Sequence, residues 1–290
     1  MNTIVFYHHP CSDGFGSAFS AWLVLGDSAQ YVPRQYSSAE DLPDVTGKTV
    51  YILDFHFDLD VMVRIESQAK ELILLDHHAT AKKKLHGFSC RCGQITFDLE
   101  RSGAMMSWEY FHPGVKAPAM FEFIQDRDLW RWEKSKSADF LGALDVLPFD
   151  FQKWKEVMSL SDYELRAFIL EGRAMNKKMQ WLCDEISEKA VPVTLLGHQG
   201  LAINTNTLFS SDVGARLADK CGTFGLCWSL DPSGFIKVSL RSTRNFNALE
   251  IAESLGGGGH PQACSFRISL DSLRSLLDGT LCASVHIDKE

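Results

Sequence analysis

No uninterrupted apolar run of about 18 residues occurs in the 290-residue chain, so no membrane-spanning helix is expected. No CxxC pair occurs among the eight cysteines, and their scattered spacing excludes a dense disulfide framework. Cys90 and Cys92, two apart, have the spacing of a redox or metal pair, although reduced cytosolic thiols account for them more simply. The opening Met1-Asn2-Thr3-Ile4-Val5 lacks the basic start and cleavage pattern of a signal peptide, so export is not expected and a cytoplasmic location is. Cations are in the minority: 29 Lys and Arg against 37 Asp and Glu give a net charge of −8. That balance argues against tracking long nucleic acid, long duplex DNA included, because the phosphate backbone demands a basic footprint. It leaves room for a short anionic substrate held by metal ions and a few local cations. There is no internal repeat and no low-complexity tract. What is present, 45% hydrophobic and 23% charged residues, is the composition of an ordinary soluble protein long enough for two domains.

Three short apolar runs each end in residues able to bind a metal. Leu72-Ile73-Leu74-Leu75 runs into Asp76-His77-His78, Ile4-Val5-Phe6-Tyr7 into His8-His9-Pro10-Cys11-Ser12-Asp13-Gly14, and Val50-Tyr51-Ile52-Leu53 into Asp54-Phe55-His56. In open α/β sheets, sites form outside the carboxyl ends of the strands. Phe121-Glu122-Phe123-Ile124 leads into Gln125-Asp126, and Asp126 is counted with these strand-end residues. The candidates are thus His8, His9, Asp13, Asp54, Asp76, His77, His78 and Asp126. Eight groups from four segments exceed the three or four ligands of a mononuclear site and point to two metals sharing a carboxylate. Paired metals suit in-line displacement at phosphorus by a metal-activated water. Imidazole with carboxylate suits borderline divalent ions such as Mn²⁺, Fe²⁺ or Zn²⁺. Asp58 and Asp60 lie beyond the strand end and read as surface charge.

Strands alternate with helices in the first half, which predicts a doubly wound parallel sheet. Helices are expected from Gly14 through Trp22, over residues 59–69, and from Ser102-Gly103-Ala104 to Phe111, where Ala104, Trp108 and Phe111 keep helical spacing. Residues 160–188 read as one long helix, with Ser161 and Glu164 as a capping box. Beyond Pro192 the pattern changes to strands at 193–196, 201–204, 225–230 and 235–240, a helix at 248–254 and a closing strand at 265–270. The expected fold is therefore α/β. A catalytic domain (1–157) with a doubly wound parallel sheet is joined by a helix (158–190) to a smaller α/β substrate domain (191–290).

That second half carries Gly256-Gly257-Gly258-Gly259-His260 between a helix and a strand. Glycines let backbone approach a ligand closely, and successive N–H groups can cradle an anion, with His260 placed to donate to a phosphate. Arg241 and Arg244 lie just upstream, and arginine near a strand end suits bidentate phosphate recognition. Trp130 and Trp132 flank Arg131, where aromatics can stack on a base, although such residues more often serve cores or interfaces.

In these residues the chain resembles the DHH phosphoesterases with a DHH-associated C-terminal domain, a family that includes RecJ-type nucleases, nanoRNases, cyclic-dinucleotide phosphodiesterases and exopolyphosphatase-like proteins. His9-Pro10-Cys11-Ser12-Asp13-Gly14 is similar to the first motif, Asp54 to the second, Asp76-His77-His78 to the third and Asp126 to the fourth. Arg241-Ser242 and Gly256 to His260 resemble the signature of the C-terminal domain. The resemblance implies two Mn²⁺ ions, with Mg²⁺, Zn²⁺ or Co²⁺ as substitutes. Asp54 would bridge them. His9, or His8 if the alignment slips by one, would join it on the first, and Asp13, His77 and Asp126 would complete the second. His77, His78 and Asp76 would be the catalytic group, with His78 on the substrate phosphate, Asp76 orienting or binding beside it, and Asp128 behind the ligands. Arg241, Ser242, Gly257, Gly258, Gly259 and His260 would bind substrate. Cys11 departs from the family, which usually has aspartate there; a thiolate also binds Mn²⁺ or Zn²⁺ but must first lose a proton. The implied activity is hydrolysis of dinucleotides or short oligonucleotides to nucleoside monophosphates. An exopolyphosphatase or nucleotide phosphomonoesterase, or a nucleotide sensor with weak turnover, remains an alternative. A homodimer is compatible with the pattern.

Overall fold

The structure, a computed structural model, describes residues 1–35 and 42–282. Residues 283–290, the tail of the expected C-terminal domain, lie outside the described residues. Contacts divide the chain into two units, Met1–Asn176 and Lys177–Glu290.

In the first unit the order is β1 (Thr3–His8), α1 (Ser12–Leu25), β2 (Gln30–Arg34), β3 (Thr49–Leu53), α2 (Leu59–Gln68), β4 (Glu71–Asp76), α3 (Ala79–Lys84) and β5 (Gly93–Phe97). Then follow α4 (Gly103–Phe111), α5 (Ala119–Asp128), α6 (Ser137–Leu144), α7 (Phe151–Met158) and α8 (Asp162–Ser187). The sheet runs β2-β1-β3-β4-β5, parallel throughout. Successive side chains on a strand point to opposite faces, and the central strands are apolar on both. Val5, Tyr7, Leu53, Ile73 and Leu75 pack under α1, α4 and α5, while Ile4, Phe6, Val50, Ile52, Leu72 and Leu74 pack with Val61, Met62 and Ile65 of α2. This is the doubly wound arrangement expected. Strands β2 and β5 were not expected; they are the sheet's edges and lack continuous apolar runs.

Helix α8 begins at the expected capping box. Glu164 accepts the Ser161 N–H at 2.9 Å, and the Ser161 hydroxyl accepts the Glu164 N–H at 3.4 Å. The division between units falls inside this helix.

The second unit continues with β6 (Val191–Leu195), β7 (His198–Asn204), α9 (Ser210–Cys221), β8 (Phe224–Leu230), β9 (Ile236–Ser242), α10 (Leu249–Ser254), β10 (Gly258–His260), β11 (Ala263–Ile268) and α11 (Leu273–Leu277). Its sheet runs β10-β11-β9-β8-β7-β6 and is mixed, with β7 and β8 parallel across the α9 crossover and the other pairs antiparallel. The core beneath it gathers Leu226, Val238, Leu240, Ile251 and Phe266. Among the described residues no helix is long and apolar enough to cross a membrane.

Candidate metal centre and anion cavity

Three neighbouring parallel strands deliver ligands to one edge. β1 ends at His8, Asp54 follows β3, and β4 ends at Asp76 with His77 and His78 next in sequence. Asp54 has φ of 62°, a left-handed conformation that few non-glycine residues adopt and that recurs at functional sites. Its N–H donates to the Leu75 carbonyl at 2.9 Å, which ties the turn to the adjacent strand. His77 Nε2 lies 3.2 Å from Asp54 Oδ1, 3.4 Å from Asp128 Oδ2 and 3.5 Å from Asp13 Oδ2. His8 Nδ1 lies 3.4 Å from Asp54 Oδ2, and Cys11 groups with these two residues. Asp54 therefore presents one oxygen to each cluster.

The spacing fits divalent ions. Ligands held at about 2.1 Å around one tetrahedral ion stand roughly 3.4 Å apart, close to the separations around His77. Imidazole, carboxylate and one thiol form a borderline donor set. The electrostatics agree. Burial pushes the Asp13 carboxyl well above the usual carboxylate range, and Asp54 and Asp128 push it further. Asp128, an exposed residue whose carboxyl end is crowded into the cluster, is raised by desolvation there, with Asp54 adding to it. Burial opposes ionisation of Asp54, but His77 and His8 outweigh it and hold that group below its ordinary value. His77 is carried up to about 10 against burial by Asp54, Asp128 and Asp13. Burial and the same carboxylates push the Cys11 thiol up. So many anionic groups so close together call for a cation.

Asp13 is oriented by the start of α4. Gly103 N–H donates to its Oδ2 at 2.7 Å and Ala104 N–H to its Oδ1 at 2.9 Å, while the Ser102 hydroxyl caps the helix by accepting the Met105 N–H. Residue 103 must be glycine for space, because a Cβ there would lie 2.6 Å from Asp54 Cβ and 2.7 Å from its Oδ1.

Several expected residues take different places. Asp126 does not join the metal-type groups, and Asp128 does. The segment is a helix, α5, not the approach to a strand end. Side chains two apart on a helix diverge by roughly 200°, so only one of the two can face His77. The Asp126 carboxylate instead accepts the N–H groups of Glu133 (2.9 Å) and Lys134 (3.1 Å) and the Ser137 hydroxyl (2.5 Å). It organises the loop that follows α5. His8 rather than His9 enters the metal-type groups, while the His9 ring packs edge-on against Phe149 with centroids 5.1 Å apart. Asp76 is also outside them. Its Oδ1 accepts the N–H groups of His77 (2.7 Å) and His78 (3.1 Å) and pairs with His78 Nδ1 at 2.7 Å, which raises the His78 pKa against burial. Its Oδ2 is buried with no hydrogen-bond partner among the described residues. His78 itself groups with Asp54 and His77. Trp130 and Trp132, read from sequence as more often core or interface, are 45% and 39% exposed, with φ of 53° and 54°.

In the second unit, β11 lies between β9 and β10 and brings the two C-terminal motifs together: Ala263 pairs with Arg241, and Ser265 with Gly258. Between them is a cavity of about 200 Å³ lined by Lys237, Ser239, Arg241, Gly258, Gly259 and Ser265, among others. The Arg241 guanidinium donates to Ser211 Oγ at 2.8 Å and to the Leu240 carbonyl at 2.9 Å, so it is braced. Ser242, Gly257 and His260 do not line this cavity. The Ser242 hydroxyl donates to the Phe246 carbonyl at 2.6 Å, and a Cβ at 257 would lie 2.1 Å from the Ser265 carbonyl oxygen. The glycine run is thus partly a strand, β10, pressed against β11. Sequence reading missed Lys237 and Ser239, yet they stand at i and i+2 to Arg241 at i+4, the period of one strand face.

Residues 216–280 match the DHHA1 domain family. The chain is 30% identical over 296 residues to the uncharacterised protein R106 of Acanthamoeba polyphaga mimivirus, covering 92% of this chain and 67% of that one. The second unit therefore carries a DHHA1 domain over residues 216–280. Among solved structures, the chain is similar to the pGpG-specific phosphodiesterase PggH of Vibrio cholerae, at 14% identity and a TM-score of 0.49, over 94% of this chain and 95% of that one. It is also similar to RecJ of Thermus thermophilus, solved with Mg²⁺, at 14% identity and a TM-score of 0.48, over 96% of this chain and 48% of RecJ.

Proposed function

We propose that the protein is a divalent-metal-dependent phosphodiesterase that hydrolyses dinucleotides and short oligonucleotides to nucleoside monophosphates, with Mn²⁺ as the working ion. The observation that carries this reading is the ring of Asp13, Asp54 and Asp128 oxygens around His77 Nε2, with His8 and Cys11 adjoining through Asp54. Asp13, His77 and Asp128 would hold one ion, His8 and Cys11 the other, and Asp54 both. Bound ions supply Lewis acidity at phosphorus and lower the pKa of an attacking water. The chain's own part is positional. The α4 N-terminus fixes Asp13, the left-handed turn fixes Asp54, and Asp76 clamps His78 so that a positively charged imidazole can meet a phosphate oxygen.

The short-substrate part rests on the net charge of −8 and on the second unit's cavity. At about 200 Å³ it is below the roughly 300 Å³ where ordinary ligand pockets begin, and with Lys237 and Arg241 it suits a phosphate group. The exposed Trp130 and Trp132, just beyond Asp128, favour a substrate with bases to stack. A second reading, exopolyphosphatase, is favoured by the cavity itself, whose lining has cations and no aromatic ring.

The test is hydrolysis of a 5′-labelled RNA dinucleotide with Mn²⁺, beside bis-p-nitrophenyl phosphate and polyphosphate, in wild type and Asp54→Asn. Dinucleotide cleavage that the substitution abolishes supports the proposal. Polyphosphate release alone moves the protein to the second reading, and tight nucleotide binding without product makes it a sensor.

A further inference from the structure

At the opposite edge of the first unit's sheet, where β4 and β5 begin, lies a second group of metal-type side chains. Leu72 pairs with Gly93, and its N–H donates to the Cys92 carbonyl at 3.2 Å. The chain bends at Arg91 and Cys92 before entering β5. The bend brings Cys90 Sγ, Cys92 Sγ and a Glu66 carboxylate oxygen within 4.8 Å of one another. Glu66 comes from α2 and is only 7% exposed, a rare state for a glutamate. Arg91 holds it in place: the backbone N–H and Nε donate to Oε1 at 3.0 and 3.2 Å, and Nη2 donates to Oε2 at 3.0 Å. Among the described residues Oε2 takes this single donor and keeps a lone pair. Each thiol donates to a backbone carbonyl, Cys90 Sγ to Leu72 at 3.8 Å and Cys92 Sγ to Glu66 at 3.5 Å, and the two thiols also hydrogen-bond each other.

We propose that Cys90, Cys92 and Glu66 form a Zn²⁺-type metal site separate from the candidate catalytic centre. Two thiolates and a carboxylate give three of the four tetrahedral ligands that such an ion takes, and water completes the set. Binding converts two thiols and one Zn²⁺ into a dithiolate complex and releases two protons to solvent, with no change of oxidation state. The three anionic ligands leave the complex one negative charge, which the Arg91 guanidinium offsets. Its hydrogen bonds to Glu66 are the outer support that metal-ligating carboxylates usually have. Softness separates the two sites: sulfur selects zinc or copper(I), while the oxygen-rich centre at the other edge accepts manganese. Leu72 and Asp76 are four residues apart on β4, so the sites stand about 13 Å apart along the strand. The ion would staple α2 to the entry of β5 and stabilise the unit without touching the reaction.

The test is differential alkylation of metal-stripped wild-type protein, read by peptide mass spectrometry, with and without ZnCl₂ or MnCl₂. Zn²⁺ should slow modification of Cys90 and Cys92 together by at least tenfold, and Mn²⁺ should leave them as they were. Equal rates with and without Zn²⁺, or protection confined to Cys11, would overturn the proposal. So would a peptide two hydrogens lighter and refractory to alkylation in the absence of metal, since that is a disulfide. A Cys90→Ser, Cys92→Ser double variant should retain one zinc fewer per chain by equilibrium dialysis while keeping Mn²⁺-dependent turnover. Equal zinc content would refute the site, and the alkylation arm needs no variant to fold.

Discussion

Asp126 and Asp128 are two residues apart, and the structure assigns them opposite consequences on substitution. The buried Asp126 carboxylate accepts three hydrogen bonds, from Glu133 N–H, Lys134 N–H and the Ser137 hydroxyl. A hydrogen bond to a charged acceptor contributes about 1.5–3 kcal/mol, and such values add incompletely within one network. Asp126→Ala should therefore cost roughly 4 kcal/mol, and Asp126→Asn about half that because one acceptor oxygen remains. For a domain the size of the first unit, 1 kcal/mol moves Tm by about 2–4 °C, so the alanine variant should melt about 8–16 °C lower. Below that melt it should still turn over. Asp128 is the reverse case. Its folded-state pKa is raised, so at neutral pH its ionisation works against folding, and Asp128→Asn should leave the metal-free Tm unchanged or higher. Its activity should fall at least about 100-fold, because residues supporting a ligand already cost 10–100-fold when removed. Differential scanning fluorimetry without metal, paired with Mn²⁺-dependent initial rates at 20 °C below each variant's melt, reads both quantities. If Asp126→Asn loses manganese binding at an unchanged Tm while Asp128→Asn stays active, the assignment is wrong and the α5 geometry with it.

Gly103→Ala would place a methyl 2.6 Å from Asp54 Cβ, roughly 1 Å inside a normal carbon contact, so Asp54 must move by about that much. We expect a stability cost of about 1–3 kcal/mol and a rate about 100-fold lower, and a variant with wild-type kinetics would show that Asp54 has slack. Cys11→Asp should tighten Mn²⁺ binding. A thiol of ordinary pKa near 8.5 gives up roughly 1.5 units at pH 7 to become a ligand, about 30-fold in affinity, and burial with Asp54 nearby pushes Cys11 higher still. Manganese titration followed by electron paramagnetic resonance measures this, and unchanged affinity would refute the inference that the thiol weakens the first metal position.

The parts of the fold that could be read from sequence are those where burial overwhelms everything else. β1, β3 and β4 are covered on both faces, so they appear as unbroken apolar runs, and the ligands after them were visible as strand-end punctuation. β2, with Pro33 and exposed positions, and β5, Gly-Gln-Ile-Thr-Phe, are edges whose burial is partial, and their pattern carries little period. Phe121-Glu122-Phe123-Ile124 alternates as a strand would, but the segment is a helix whose Phe121, Phe123 and Ile124 all reach the core. The helix, rather than a strand end, is what sets Asp128 and not Asp126 beside His77. On a strand, residues two apart share a face; on a helix they oppose one another. The choice of His8 over His9 turned on the mirror of that rule, since neighbours on a strand end point apart and only one can meet Asp54. In the second unit the same period, applied to Lys237, Ser239 and Arg241, would have found the cavity's lining. Its lining at Gly259 is set by close backbone contact with Ala263 and Cys264, which no residue pattern encodes. The sequence thus carries the kinds of ligand and their strand of origin, because those follow from composition and burial. The identity of each candidate ligand depends on the angle at which a side chain leaves its element, and a two-residue ambiguity there is enough to exchange a proposed metal ligand for a loop-building carboxylate.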